Sequence, residues 1–236
     1  MSQPEPTFSV IVLTAAPTGM GAEAGGSYVK IDGREALLRS VELFANRDNI
    51  KQIQVVFLPE ELEEGKRKYG GHFGFVGVKV AAGGPRWLDQ LVAALPKVDP
   101  DASHVIVHDG ARPAVPYTDI DALMAEAKED AAAIALTSPL RTPLVEIDEG
   151  GAPLAFASPS RFQQLLTPQV LTVASLKELA AKKSELHASK YRLLKGSPLN
   201  VRVGGPGDAS LLKAMINMLP KPKPKANLNP FEEAQW

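Results

Sequence analysis

The sequence predicts an α/β fold with a mostly parallel, twisted sheet and helices on both faces, and three observations support this. Short β-branched apolar runs predict five strands, at residues 8–14, 53–58, 76–82, 105–108 and 131–136. These runs lack the apolar–polar alternation of half-exposed strands, which indicates that both faces of the sheet are covered. Segments of helical periodicity separate the strands, at residues 34–45, 60–68, 86–95 and 118–128.

The elements that follow extend this pattern. TDID at residues 118–121 matches a capping box and would begin the helix there. Further helices are predicted at residues 175–183 and 208–219, with a strand at 191–194 between them. The loops that carry unusual motifs all follow strands, and in such folds the ligand binds beyond the carboxyl ends of the strands.

A hairpin arm and a tail are also predicted. PLVEIDEGGAPLAFA, residues 143–157, indicates two strands joined by a turn at Glu149-Gly150-Gly151. The arm, about residues 139–160, would project from the main sheet and mediate dimer contact, although an ordinary surface hairpin fits the pattern equally well. We expect one domain over residues 1–219. Residues 220–236 begin PKPKPK, a composition typical of an extended, poorly ordered tail.

Composition excludes several classes of function. The chain has 26 Lys plus Arg against 27 Asp plus Glu, a net charge of -1, which does not support a broad nucleic-acid or membrane surface. It has 0 cysteines, so disulfides and thiolate metal sites are excluded. No apolar run reaches the ~18 residues of a membrane span, and the N-terminus lacks a signal-peptide pattern. We therefore expect a cytoplasmic protein.

A glycine-rich loop follows the first predicted strand, with Gly19, Gly21 and Gly25 in a GxGxxxG spacing. A dinucleotide fold is disfavoured because YVKIDG intervenes before the next helix and because Glu60 lies about forty rather than ~20 residues beyond Gly19. A Walker loop is excluded, since no Gly-Lys-Ser/Thr follows. Two interpretations remain: a loop whose backbone amides surround a nucleoside triphosphate, or a glycine loop without a ligand.

Four motifs indicate a family. TAAPTG at residues 14–19, AAGGPR at 81–86, VIVHDGARPAV at 105–115 and LLTPQVL at 165–171 occur in one order. In order and spacing, the chain resembles the 2-C-methyl-D-erythritol 4-phosphate cytidylyltransferase family over roughly residues 8–219, including a closing GPGDASLL. The resemblance implies a Rossmann-like nucleotidyltransferase fold.

The resemblance also implies a reaction and its partners. The family transfers CMP from CTP to the phosphate of 2-C-methyl-D-erythritol 4-phosphate and releases pyrophosphate, in the non-mevalonate isoprenoid pathway. It uses Mg²⁺, and its homodimer is joined by the hairpin arm. The attacking phosphate is already an anion, so such catalysis consists mainly of positioning and electrostatic stabilisation.

The family motifs assign substrate-side residues. Asp109 would take substrate hydroxyls or Mg²⁺, and Arg112 would hold the substrate phosphate; alternatively, Asp109 caps the following turn and pairs with Arg112. Arg202 stands where the family has a lysine that faces the substrate phosphate, and it is also a catalytic candidate, although Arg and Lys are not equivalent. His108 is expected to be structural, and Asp208 to be a helix N-cap rather than a metal ligand.

Further residues would complete both halves of the site. Arg161 and Thr167, with Thr142 as a weaker candidate, would add to the phosphate site, and the alternative for Arg161 is an exposed residue of the arm. Small residues let a base and ribose approach the backbone closely. The nucleotide-binding candidates are Ala15, Ala16, Gly19, Gly83, Gly84 and Gln90.

The nucleotide loop departs from the family. Pro17 replaces a glycine, and the positions of the family's loop arginine and lysine fall on Gly21 and Gly26. Lys30 is the candidate replacement cation, although a short strand with Lys30 facing solvent fits YVKI as well. Arg86, next to the glycine pair, is another candidate.

Two more departures keep alternative functions open. Gln90 occupies the position of a base-contacting serine, and the family's acidic stretch is shortened at residues 184–189. The leading hypothesis is a cytidylyltransferase. The missing loop cations suggest instead a non-catalytic relative that binds a sugar phosphate or a partner, and Gln90 suggests a nucleotidyltransferase for another nucleotide.

Overall fold

The computed structural model describes residues 5–18, 24–128 and 131–219. Its strands are β1 (Phe8–Leu13), β2 (Lys30–Ile31), β3 (Arg34–Glu35), β4 (Ile50–Phe57), β5 (Val78–Ala82), β6 (His104–Asp109), β7 (Ala133–Pro139), β8 (Leu144–Ile147), β9 (Pro153–Ala157), β10 (Gln163–Thr172) and β11 (Tyr191–Lys195). Its α-helices are α1 (Ala36–Glu42), α2 (Leu62–Val76), α3 (Trp87–Ala94), α4 (Tyr117–Glu126), α5 (Val173–Lys182) and α6 (Ala209–Met218). The tail predicted for residues 220–236 lies outside the described residues.

Seven strands form one sheet in the order β11-β7-β10-β6-β1-β4-β5. Neighbours run parallel except at β10, which is antiparallel to both β6 and β7. The predicted α/β class with a mostly parallel sheet is therefore confirmed. The apolar pattern did not predict β10, because Pro168 interrupts the run and prolines are unusual inside strands. The pairing of β10 with β7 shifts register there, between Leu166 and Gln169.

The core lies on both faces of the sheet, as non-alternating strands require. In β1, Val10 and Val12 belong to a cluster that includes residues of α1, α2 and α4. Ile11 and Leu13 belong to a second cluster with residues of α3 and α5. All of β1 is buried, so its carboxyl end is held from both sides. None of the helices in the described ranges has the length and apolar character needed to cross a membrane.

The segment before α1 differs from the prediction. The sequence predicts a helix over residues 34–45, but Arg34–Glu35 pairs with Lys30–Ile31 in a small antiparallel ladder, and α1 covers only Ala36–Glu42. Asp32 and Gly33 have positive φ angles of 54° and 77° in the turn between these strands. Helical spacing alone could not reveal this ladder, because its two strands pair across a tight turn.

The predicted capping box of α4 is wrong. The helix begins at Tyr117 after Pro116, and the N-cap position makes no side-chain hydrogen bond. Thr118 therefore lies inside the first turn. Pro116 is compatible with this position because its fixed φ suits a helix start.

The hairpin is confirmed. Strands β8 and β9 pair antiparallel in a two-stranded sheet of their own. In the turn, Asp148 Oδ1 accepts hydrogen bonds from the N–H groups of Gly150 at 2.9 Å and Ala152 at 2.8 Å. Gly151 has a φ of 84°, which glycine adopts without strain.

Candidate active site

A cavity of ≈ 630 Å³ lies at the carboxyl edge of the sheet, where β1, β4 and β5 end. Loops after these strands supply most of its walls, as expected for a ligand site in a parallel sheet. The lining residues are Thr14, Ala15, Ala16, Pro17, Thr18, Tyr28, Leu58, Glu61, Pro85, Arg86, Trp87, Leu88, Ser184 and Glu185. The last two come from the shortened segment after α5.

A buried charged cluster lies at the end of β6. Asp109 is fully buried, and its Oδ1 accepts a hydrogen bond from the Ala111 N–H at 2.9 Å. Its Oδ2 accepts one from Arg202 Nε at 2.8 Å and lies 3.8 Å from Arg112 Nε. Asp109 thus caps the turn and pairs with Arg112, as the structural alternative expects, and it also pairs with Arg202.

The charges of this cluster favour the binding of an anion. Burial raises the pKa of the Asp109 carboxyl, and the guanidinium groups of Arg202 and Arg112 oppose that rise. Burial lowers the pKa of Arg112, against the effect of Asp109. Two guanidinium groups around one carboxylate leave net positive charge, and guanidinium groups bind phosphate through charge-assisted hydrogen bonds.

A ring of hydrogen bonds through neighbouring residues holds the cluster in place. Arg112 Nη1 donates to the Asn200 backbone oxygen at 2.8 Å, and Asn200 Nδ2 donates to the Thr167 backbone oxygen at 2.7 Å. Thr167 Oγ1 accepts from the Asp109 N–H at 3.1 Å. His108 lies with Nε2 3.1 Å from the Arg112 backbone oxygen and Nδ1 3.3 Å from Thr167 Oγ1.

The structure therefore brings together Asp109, Arg112, Thr167 and Arg202, and it adds Asn200. Sequence reasoning missed Asn200, although it stands only two positions before Arg202 in NVRV. Thr142 and Arg161 do not join this cluster, because both are exposed residues beside the hairpin arm. For Arg161 this is the alternative position that the sequence allowed, and the substrate role of both residues stays a prediction.

On the nucleotide side, Ala15 and Ala16 line the cavity as expected. Gly19 lies outside the described residues. Lys30 is exposed on β2 and does not line the cavity, so its role as replacement cation stays a prediction. Arg86 does line it, and its Nε and Nη2 donate to the two carboxylate oxygens of Asp89 at 2.8 and 2.6 Å.

Gly83, Gly84 and Gln90 do not line the cavity. A Cβ on Gly83 would lie 2.7 Å from Gln90 Cα, and one on Gly84 would lie 2.9 Å from Asp89 Cβ. Gln90 is fully buried, and its Oε1 accepts from the N–H groups of Thr14 at 3.0 Å and Ala15 at 3.1 Å. Gln90 thus holds the loop after β1 in position. Direct contact of Gly83, Gly84 or Gln90 with a nucleotide stays a prediction.

Asp208 stands at the N-cap position of α6 as expected, but its side chain makes no hydrogen bond to the first turn of that helix. Its Oδ2 accepts hydrogen bonds from the N–H groups of Gly204 at 2.7 Å and Gly205 at 3.2 Å. These bonds fix the 3-10 turn Pro206–Asp208 that leads into α6.

The side chains offer no ready Mg²⁺ site. Within residues 5–18, 24–128 and 131–219, no three His, Asp or Glu side chains come together as metal ligands. Both oxygens of Asp109 already accept hydrogen bonds, and two guanidinium groups flank it. A divalent cation placed there would be repelled by these two positive charges.

Together, the mostly parallel sheet, the cavity at its carboxyl edge and the cationic cluster at the end of the neighbouring strand β6 define an α/β protein of the nucleotidyltransferase class. The fold resembles the crystal structure of a 4-diphosphocytidyl-2C-methyl-D-erythritol synthase from Anaerococcus prevotii, with a TM-score of 0.71 and 16% identity over 90% of this chain and 97% of that one. The family model for 2-C-methyl-D-erythritol 4-phosphate cytidylyltransferase (IspD) matches residues 9–216. The chain belongs to this family.

Comparison with individual relatives also indicates this family. The chain is 32% identical to a 2-C-methyl-D-erythritol 4-phosphate cytidylyltransferase from Frankia casuarinae over 168 residues, 70% of this chain and 60% of that protein. It is 30% identical to one from Clostridioides difficile over 129 residues, 54% of each chain. The matched regions thus span between about half and three fifths of these two relatives.

Proposed function

We propose that this protein transfers the cytidylyl group of CTP to the phosphate of 2-C-methyl-D-erythritol 4-phosphate and releases pyrophosphate, a step of isoprenoid precursor synthesis. The observation that carries the proposal is the buried Asp109–Arg112–Arg202 cluster at the end of β6, in a chain matched by the family model over residues 9–216. The names of the relatives supply the substrates.

The reaction needs positioning more than proton transfer. A phosphate oxygen of the acceptor attacks the α-phosphorus of CTP, and the bond from that phosphorus to the pyrophosphate oxygen breaks. Arg202 and Arg112 would hold the attacking phosphate against the repulsion between two anions. Asp109 keeps both guanidinium groups in place, and the ring through Asn200 and Thr167 keeps Arg112 from turning away.

Mg²⁺ remains part of the proposal as a cation that arrives with the phosphates of CTP, which is how Mg²⁺ commonly binds in nucleotide enzymes. Loss of activity with a chelator, restored by added Mg²⁺, is the expected result.

A homodimer joined by the hairpin arm is also proposed. Four apolar side chains of the arm are exposed, at 47% for Val145, 57% for Ile147, 61% for Leu154 and 90% for Phe156. Grouped exposed apolar side chains are typical of protein–protein contact. The cytoplasmic location expected from the sequence stays a proposal as well, to be tested by cell fractionation.

The experiment that tests the proposed function measures pyrophosphate release with CTP, 2-C-methyl-D-erythritol 4-phosphate and Mg²⁺. Arg202→Ala is expected to lower the rate by about 10²–10³, since one charge-stabilising donor is removed. Arg202→Lys should keep more activity than Arg202→Ala because it retains the charge. Arg67→Ala, an exposed arginine of α2, is the matched control and should leave the rate unchanged.

The same assay separates the alternatives. If the wild-type protein releases no pyrophosphate above the blank and binds no CTP by calorimetry, the protein is a non-catalytic relative. Release with another nucleoside triphosphate but not with CTP would instead assign a different nucleotide. A further loss in Lys30→Ala would assign the replacement cation.

A further inference from the structure

The cavity at the carboxyl edge of the sheet is lined by more negative than positive side chains. Its lining includes the carboxylates of Glu61 and Glu185 and the guanidinium of Arg86. The charge of Arg86 is already paired with Asp89 through two hydrogen bonds. Such a wall repels a triphosphate and suits the uncharged part of a nucleotide, its base.

The sheet order gives the direction in which a nucleotide would lie. The cationic cluster is at the end of β6, whereas Glu61 follows β4, and β1 lies between these two strands. Adjacent strands are about 4.8 Å apart, so the two ends of this path are separated by about 10 Å. If Arg112 and Arg202 hold the attacking phosphate, the α-phosphate of CTP lies next to them, and the nucleotide directs its base towards the ends of β4 and β5.

The side chain at the position of the family's base-contacting serine is not available there. Gln90 Oε1 accepts from two backbone N–H groups, and its Nε2 donates to Thr14 Oγ1 at 3.2 Å. Gln90 is fully buried and does not line the cavity. A side chain that recognises the base must therefore be a different one.

Glu61 is held ready for such a contact. Tyr28 donates its hydroxyl to Glu61 Oε2 at 2.5 Å, and burial, followed by the contact with Glu61, raises the pKa of Tyr28, so this hydroxyl stays a donor. No residue of the described ranges hydrogen-bonds Glu61 Oε1. By contrast, Glu185 is exposed, and its Oε1 accepts from Thr18.

The backbone that carries Glu61 is also well packed. Glu61 ends the short 3-10 turn Pro59–Glu61 that leads into α2. A Cβ on Gly65, one turn later, would lie 2.9 Å from the ring of Phe57, so α2 and β4 are in close contact at this point. Apolar side chains of the lining, among them Leu58 and Trp87, suit a flat base.

We infer that Glu61 selects the base, because its Oε1 accepts a hydrogen bond from the exocyclic amino group of cytosine and repels the oxygen that uracil carries at the same position. This inference rests on the proposed function, and it names Glu61 as the residue that makes the protein specific for CTP. Tyr28 is the positioning residue that orients the carboxylate.

The test is calorimetric titration of CTP and UTP, each with Mg²⁺, into the wild-type protein, Glu61→Gln and Glu60→Gln. The wild type should bind CTP about tenfold or more tightly than UTP, because a hydrogen bond to a charged group usually contributes this much to affinity. In Glu61→Gln the preference should fall to about threefold or less, because an amide can also donate to the uracil oxygen. Glu60 is exposed and does not line the cavity, so Glu60→Gln should keep the wild-type preference.

Each other outcome has a definite meaning. A preference for CTP over UTP that is unchanged in Glu61→Gln overturns the inference. If the affinities for CTP and UTP both fall by the same factor, Glu61 contacts the ribose or has a structural role, and the inference is also overturned. Pyrophosphate release from CTP by the same wild-type sample distinguishes that failure from a failure of the proposed function. If the wild type neither binds CTP nor releases pyrophosphate, both are overturned.

Discussion

His108 illustrates how a titratable residue can be structural. Its ring is fully buried, between the Arg112 backbone oxygen and Thr167 Oγ1, and forms a T-shaped pair with the Phe44 ring. Since the Arg112 oxygen can only accept, Nε2 carries the proton and Nδ1 accepts from Thr167. Burial, with the nearby charge of Arg112, lowers the pKa of His108 to about 3. The side chain therefore stays neutral and supports the cationic cluster.

This depressed pKa predicts acid sensitivity. Between pH about 6.5 and about 3, unfolded His108 binds a proton that the folded protein does not, so stability falls as the pH falls, by up to about 1.4 kcal/mol per pH unit. Urea unfolding between pH 7 and pH 4.5 measures this slope. We expect His108→Gln to reduce the slope, whereas His187→Gln, at an exposed histidine, should leave it unchanged. Equal slopes in all three proteins would contradict the prediction.

At the scale of elements, β5 and α3 depend on a close approach at Gly83. A Cβ on this residue would lie 2.7 Å from Gln90 Cα and 2.9 Å from Val56 Cγ1. Because Gln90 also holds the N–H groups of Thr14 and Ala15, the contact couples the packing of α3 to the loop after β1. The glycine pair is thus explained by helix–strand packing without any bound nucleotide.

Two glycine substitutions should change the free energy of unfolding in opposite directions. Gly83→Ala should lower the free energy of unfolding by about 1–3 kcal/mol, because backbone and a buried side chain must move. Gly71→Ala, in the exposed middle of α2 with no atom within 4 Å of its Cβ position, should raise it by about 0.5–1 kcal/mol. Chemical denaturation of both variants measures the contrast, and a Gly83→Ala variant as stable as the wild type would disprove the close contact.

At the scale of the whole molecule, the arm exposes four large apolar side chains, those of Val145, Ile147, Leu154 and Phe156. Strands β8 and β9 form a sheet of two strands that has no main-sheet neighbour. A two-stranded hairpin is marginally stable alone, so an arm with this composition gains from being covered. Contact with a second copy would also cover Phe156, which is 90% exposed in the single chain.

We therefore expect Phe156→Ser to weaken the dimer, shifting the sedimentation coefficient towards that of a monomer at micromolar concentration. Phe75→Ser is the matched control, since Phe75 is 92% exposed on α2, away from the arm. It should leave the oligomeric state unchanged. A wild-type protein that sediments as a monomer, or an equal effect of both substitutions, would refute the role of the arm.

The order and type of the main elements could be predicted from the sequence, because buried strands and helices leave a local pattern. The non-alternating runs of β1, β4 and β6 required a covered sheet, and HDGARP placed Asp109 and Arg112 at a strand end. The same local pattern failed where pairing depends on distant partners. It missed the reversed strand β10, and it predicted helix at Arg34–Glu35, which forms β3. For β2 the alternative of a short strand with Lys30 facing solvent is confirmed.

The site shows the same division. Sequence motifs were enough to name the family and the residue types, since these depend on spacing along the chain. Which side chains meet was decided only by the tertiary structure, because hydrogen bonds join residues far apart in sequence, such as Arg202 to Asp109 and Gln90 to Thr14. A motif alone cannot show that Gln90 is buried, or that within the described residues only Oε2 of the Glu61 carboxylate accepts a hydrogen bond.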